Sequence, residues 1–259
     1  MTIALLGATG RVGGHLAPLL IDAGHRLRLL VRDPSRLPAS LVGAIDLDAR
    51  EQSAREQSVG EPVAGSTSAS VPAEGKPGAH EADARERFAR RHGAAVMIVG
   101  DARDRAAVAA TLEGADVAVS TLGGTGLAEP GTMLSEAAEN LVAAARETGV
   151  GRIIWVSASG LLDAPGGGLR NEAPDYPPIF HLISKQHVRV WTTLRTSGLD
   201  WTIVCPPHMP TGERTGRYRA EANRLPDGGH QITDADVADF LAREIDEAGF
   251  RKLRVGVAY

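Results

Sequence analysis

A strand-length apolar run, Thr2-Ile3-Ala4-Leu5-Leu6, opens directly into Gly7-Ala8-Thr9-Gly10-Arg11-Val12-Gly13. No other feature of the chain restricts its fold as much. Gly7 lets the backbone turn sharply after the strand. Gly10 lets backbone approach a ligand with no Cβ in the way, and Gly13 lets the following helix pack close to the sheet. The helix N-terminus then offers unpaired N–H groups and a partial positive charge. Glycines alone are common in turns, but here they sit between a strand and a helix, where they are expected to seat a pyrophosphate. Pro18 conflicts with this helix, because it removes one backbone donor. A kink or early break is expected there.

Further short apolar runs cover residues 26–31, 95–99, 117–121, 152–156 and 201–204. Amphipathic stretches lie between them, as at 136–147 and 188–197. Strands alternating with helices imply parallel pairing and right-handed crossovers. The runs are apolar throughout, as expected of strands covered on both faces. The predicted class is therefore α/β, a single Rossmann-type doubly wound parallel sheet with helices on both faces. Residues 1–259 are read as one NAD(P)-binding domain. One stretch, about 39–92, shifts to Ala, Glu, Ser, Gly, Pro and Arg, and 59–79 has almost no large apolar residue. It is expected to be a disordered surface insertion, with a charged helix at 81–91.

Net charge is -4, and no basic run points to nucleic acid or a membrane surface. No apolar stretch approaches the roughly 18 residues of a membrane span. The single cysteine, Cys205, cannot form an internal bridge, and residues 1–6 lack the features of a signal peptide. A cytoplasmic protein is expected.

The second strand runs into Arg32-Asp33-Pro34-Ser35-Arg36. An NAD site usually carries an acid at this strand end to bind the ribose hydroxyls. Here Arg32 holds that place, with Ser35 and Arg36 close behind, a set suited to a 2′-phosphate. NADPH is the expected cofactor, with Asp33 facing outward. Ligands of open α/β sheets sit beyond the carboxyl ends of strands. Those ends offer Asp101 after the third run, Leu122 and Gly123 after the fourth, Ser157 after the fifth, and His208 beyond Pro206-Pro207 after the sixth. Ser157 and His208 are the candidate catalytic residues.

The Tyr-x-x-x-Lys pair of ordinary short-chain reductases is missing. Tyr176, Tyr218 and Tyr259 all lack a Lys four residues on, while His181 and Lys185 have the spacing without the Tyr. Reduction of a simple ketone makes a localised alkoxide that needs an acid beside it. A flavin or linear tetrapyrrole spreads the charge over its ring system and can take its proton later. The missing acid tilts the acceptor toward conjugated systems.

Several stretches carry a family resemblance: GATGRVG at 7–13, LVRDPSRLP at 30–38, VGDARD at 99–104, MLSEAAENLVAAARETGV at 133–150, VSASGLL at 156–162, LRTSGLDWTIVCPPHMP at 194–210 and TGRYRAE at 215–221. Together they resemble the NADPH-dependent flavin reductases that are also biliverdin IXβ reductases, in the NmrA-like group of atypical short-chain dehydrogenases. The resemblance implies a monomeric oxidoreductase. Gly7, Thr9, Gly10, Arg11, Val12 and Gly13 would hold the pyrophosphate, and Arg32, Ser35 and Arg36 the 2′-phosphate. Asp101 would lie near the adenine. Ser157 and His208 would flank nicotinamide and substrate, and His187 falls on another histidine of the active-site side. Implied acceptors are FMN, FAD, riboflavin, biliverdin or a quinone, with flavin a substrate rather than a fixed group. One departure is Gly124-Thr125-Gly126, where the resemblance implies a basic residue near the ligand. It counts against the FMN phosphate or the biliverdin carboxylates as preferred ligand groups. Two other readings stand beside this one: a reductase of some other conjugated carbonyl, and an NmrA-like sensor that binds NADP(H) without turnover.

Overall fold

The computed structural model describes residues 1–42, 44–45, 94–123, 126–127 and 129–259. Most of the 39–92 stretch, including 59–79 and the helix expected at 81–91, lies outside the described residues, as do Gly124 and Thr125. The strands are β1 (Thr2–Leu6), β2 (Arg26–Val31), β3 (Ala95–Val99), β4 (Val117–Ser120), β5 (Arg152–Val156), β6 (Asp200–Cys205), β7 (Arg219–Ala222) and β8 (Leu253–Ala258). The helices are α1 (Arg11–Asp22), the single turn α2 (Ala39–Val42), α3 (Arg105–Leu112), α4 (Met133–Thr148), α5 (His181–Thr196) and α6 (Asp234–Glu247).

Among the described residues, eight strands join one sheet in the order β3-β2-β1-β4-β5-β6-β8-β7. Every pairing is parallel except β7 with β8. The apolar runs become these strands because both of their faces are buried. On one face Ile3, Leu5, Leu27 and Leu29 pack with Leu16 and Leu20 of α1 and Phe240 and Leu241 of α6. On the other, Ala4, Leu6, Ile153 and Trp155 pack with Val108 of α3, Leu141 of α4 and Val190 and Leu194 of α5. The doubly wound fold is thus formed by two apolar layers, one on each side of the sheet.

Two expectations need correction. Pro18 does not end α1, which continues through it from Arg11 to Asp22. Leu16, Ala17, Leu20 and Ile21 around it are buried, and their packing outweighs one missing donor. The sheet also extends past the sixth run: β8 adds a parallel strand and β7 an antiparallel edge.

Candidate active site

Strand order reverses between β1 and β4, where Leu6 pairs with both Leu30 and Ser120. The chain leaves the two strand ends in opposite directions and opens a crevice there. Gly7 follows β1 at φ 94°, a left-handed conformation that only glycine adopts freely. Thr121 follows β4, and its hydroxyl bridges to Leu6 O (3.2 Å) and Gly7 O (3.1 Å). Gly10 closes the turn by donating its N–H to Gly7 O at 2.9 Å. It also caps α1 in an extended conformation with no side-chain cap, so the first N–H groups of the helix have no side-chain partner.

The cleft over this turn has a volume of about 220 Å³. Gly7, Thr9 and Gly10 form its floor, and Leu122 and Gly123 one wall. A Cβ on Gly10 would stand 3.2 Å from Gly7 O, and one on Gly13 would overlap that oxygen. Bare backbone is therefore required at the helix–strand contact of Gly13, while a side chain at Gly10 would crowd Gly7 O at the floor. This geometry fits a pyrophosphate. Val12 is buried in the core and supports the turn from below. Arg11 reaches across the sheet end and donates to Met209 O at 2.9 Å, tying the glycine turn to the Pro-Pro-His loop.

The far end of the cleft holds Arg32, Asp33, Arg36 and Asp101. Asp33 thus borders the cleft instead of facing away from it. It caps the turn Pro34–Arg36, accepting from Ser35 N (3.0 Å) and Ser35 Oγ (2.6 Å). Those two bonds, the hydroxyl's first, hold its carboxyl below the usual range. Ser35 spends its hydroxyl on Asp33 and is not part of the cleft wall. Asp101 is gripped by Arg103 at 3.0 and 3.1 Å, which holds it charged, and Arg32 stands 3.8 Å away. Arg36 completes a basic rim around two anchored carboxylates.

Ser157 and His208 follow the adjacent strands β5 and β6, and neither lines the cleft over the glycine turn. Ser157 N donates to Val204 O at 2.7 Å, which fixes the strand end. Its Oγ lies 2.8 Å from Nδ1 of His187 on α5. His187 is 9% exposed, and burial pushes its pKa down from 6.5 to about 4. The imidazole is neutral at pH 7, so it orients the serine hydroxyl without adding charge. His208 is exposed and its carbonyl accepts from Ile232 N at 3.0 Å. The geometry pairs Ser157 with His187, not with His208. The resemblance pointed to His187 and the strand end to Ser157; their pairing across thirty residues of chain carries no local sequence signal.

The His187 environment also predicts a pH effect. Between pH 6.5 and about 4 the unfolded chain binds a proton that the folded chain does not. Stability should therefore fall as pH drops through that window, by up to about 3 kcal/mol from this one group. His187→Gln should remove that part of the slope in urea melts at pH 4.5 and 7.5. Identical slopes would show that the imidazole is not held neutral.

Among the described residues no His, Cys, Asp or Glu cluster could hold a metal, and no helix is long and apolar enough to cross a membrane. Solved structures with this fold include a provisionally named NADH-flavin reductase of Streptococcus pneumoniae, at 21% identity over 100% of this chain and 99% of that one, TM-score 0.69. A second is a Rossmann-fold NAD(P)-binding family protein of Shigella flexneri, at 17% identity over 99% and 92%, TM-score 0.62. A third is an anaerobillin reductase of Escherichia coli O157:H7, at 18% identity over 100% and 97%, TM-score 0.64. A family model described as NAD(P)H-binding matches residues 7–69 and 78–248, its one break falling inside the 39–92 stretch. The chain belongs to this NAD(P)H-binding family.

Proposed function

We propose that the chain is an NADPH-dependent reductase that passes hydride to a conjugated acceptor: a flavin, a tetrapyrrole or a quinone. When bound, the nicotinamide supplies hydride, two electrons with one hydrogen nucleus; the acceptor takes one further proton from solvent and the cofactor leaves oxidised. Gly7, Thr9 and Gly10 would seat the pyrophosphate, and Arg32 and Arg36 the 2′-phosphate. The observation that carries the reading is the Ser157–His187 pair. A hydroxyl held by an uncharged imidazole can orient a ring but is a poor source of protons at pH 7. An acceptor that spreads its charge over a conjugated system does not need one. The names of the Streptococcus and Escherichia proteins agree with such acceptors.

The test is NADPH oxidation, followed by its near-ultraviolet absorbance, with FMN, riboflavin, biliverdin and a quinone in turn. Turnover with at least one is expected. Tight NADPH binding without turnover of any of them would favour a sensor.

If Ser157 positions the reacting ring, Ser157→Ala should lower kcat about tenfold, the loss of one oriented hydrogen bond, with NADPH affinity little changed. His187→Gln should lower kcat in the same direction and less than Ser157→Ala, since it acts only through the serine. A loss of NADPH affinity with kcat unchanged would place Ser157 in cofactor binding alone.

A further inference from the structure

Three of the six large apolar side chains that stand exposed among the described residues fall in one short run: Ile179, Phe180 and Leu182. A fourth, Leu127, belongs to the loop between β4 and α4, which also carries Leu122 and Gly123 of the cleft wall. Apolar surface gathered in this way marks a place where something is covered. The run forms the turn Pro178–Phe180 and the head of α5. α5 returns the chain from the carboxyl end of β5 to the amino end of β6, so its head stands on the crevice side of the sheet.

Phe180 caps α5 at φ −94° and ψ −5°, close to helical values, so it continues the spiral of the helix. It stands seven residues before His187. At about 3.6 residues per turn that is almost two whole turns, so the two side chains share one stripe, about 10 Å apart along the axis. The other members of the stripe, Ile183, Val190 and Leu194, are buried, as is His187 itself. Phe180 is 38% exposed and lies at the crevice end. The stripe faces the candidate site. His187 meets Ser157 Oγ at 2.8 Å, and the adjacent Gln186 accepts from Ser135 Oγ of α4 at 2.9 Å, two residues after Met133 in the cleft wall. Leu182 lies off this stripe. The Phe180 ring is also held still. Pro177 and Pro178 fix the backbone before it. Its N–H donates to Pro177 O at 3.0 Å, and its ring leans on that of Tyr176 with centroids 6.2 Å apart. Tyr176 Oη in turn shares a hydrogen bond with Ser184 Oγ at 2.8 Å. A ring ordered in advance adds little entropic cost to binding.

We propose that Phe180, with Ile179 beside it, is the apolar contact for the far end of a conjugated acceptor and favours acceptors of several fused or linked rings over single rings. The inference rests on the reductase reading above. An acceptor placed against Ser157 and extending along the stripe reaches Phe180 only if it covers the about 10 Å of two helical turns. A tricyclic flavin or a linear tetrapyrrole has that length, and a benzoquinone does not. Contact between the rings then adds to the apolar area that is covered. A second copy of the chain is a poorer occupant, because two side chains fall far short of the roughly 800 Å² per partner that a stable interface buries.

The experiment measures KM for riboflavin, biliverdin and benzoquinone in the wild type, Phe180→Ala, Phe180→Tyr and Ile179→Ser. Phe180→Ala should raise KM for the larger acceptors about 5- to 30-fold, the loss of one aromatic contact and the area beneath it. Phe180→Tyr keeps the ring and should stay within about twofold of the wild type. Ile179→Ser changes a side chain that is 61% exposed, so it leaves the core intact; it should raise the same KM about two- to fivefold. KM for benzoquinone and affinity for NADPH should change less than about twofold in every variant, because neither residue lines the cleft over the glycine turn. Unchanged KM for riboflavin and biliverdin in Phe180→Ala, or turnover of benzoquinone alone, would overturn the contact and leave the reductase intact. A dimer that Phe180→Ala splits, with KM unaltered, would give the surface to a second copy and overturn the contact likewise. If no acceptor is turned over, quenching of riboflavin fluorescence decides. Quenching that Phe180→Ala weakens and Phe180→Tyr keeps supports the contact while the reductase reading fails. Quenching that is absent, or unaltered in Phe180→Ala, overturns both.

Discussion

Gly13→Ala is expected to weaken NADPH and NADH alike, by about 100-fold or more, the loss of two hydrogen bonds to a charged group. A Cβ at residue 13 would overlap Gly7 O and stand 2.8 Å from both Gly7 C and Thr121 Oγ1. Two of these atoms are backbone and cannot rotate away. Gly7 itself is pinned, because Thr121 Oγ1 holds Gly7 O and Leu6 O together. The helix must therefore lift from the strand, and its first N–H groups move with it. Overpacking of this kind costs about 1–3 kcal/mol, which a thermal melt would register. Gly14→Ala is the control. A Cβ there meets Pro38 Cγ at 3.6 Å, an ordinary contact, so affinity and stability should hold. Fluorescence titration with each cofactor reads the outcome. Retained affinity in Gly13→Ala, or equal loss in Gly14→Ala, would show that the turn does not seat the pyrophosphate.

The parts of the molecule legible in the sequence were those with local causes. Each apolar run before residue 205 became a strand within one or two residues of its expected ends, and the glycine turn marked the crevice. Later elements were missed for particular reasons. β7 reads Arg-Ala-Glu-Ala, a short edge strand with no apolar pattern. β8 carries Arg254 within its apolar run, and only the fold shows why. That arginine donates to Leu161 O, pairs with Asp163 at 2.7 Å and lies 4.3 Å over the Trp191 ring. It thereby holds α5 against the turn after Ser157. α6 did carry a readable signal: Thr233 caps the helix and accepts from Asp236 N at 3.1 Å, a Thr-x-x-Asp pattern of helix starts.

The site divides in the same way. Gly7, Thr9 and Gly10 are neighbours in sequence and in space, so their role could be argued from spacing. Ser157 and His187 meet only because α5 crosses back over the sheet and its buried face turns toward the end of β5. His181 and Lys185 stood out for a spacing that matched nothing, and their place beside the Arg170–Glu172 turn depends on the path of the chain through residues 163–180. Side chains brought together by a crossover leave no periodic trace.

The Arg32→Ala/Arg36→Ala double variant should lose NADPH affinity by about 10²- to 10⁴-fold, since each charge-assisted contact contributes about 1.5–3 kcal/mol. NADH affinity should change less than about threefold, because it lacks the 2′-phosphate and exposed charge changes alone have small effects. The single variants should each lose about 10- to 150-fold. The opposing consideration is Asp33, an ionised carboxylate in the same rim that would repel a phosphate and could bind ribose hydroxyls instead. Ser35 anchors Asp33 Oδ1 with two hydrogen bonds, at 2.6 and 3.0 Å, which ties one oxygen of the carboxylate into its own capping turn and leaves Oδ2 at the rim. Arg32, by contrast, is 64% exposed and stands no closer than 3.8 Å to Asp101, which Arg103 already grips, so its guanidinium is available to a ligand. Raising ionic strength should weaken NADPH more than NADH, as expected when exposed charges carry the difference. Calorimetric titration of both cofactors against wild type and variants measures all of this. A wild type that prefers NADH, with Asp33→Ala abolishing that preference, would reassign the rim to a ribose diol and make Asp33 the discriminating residue.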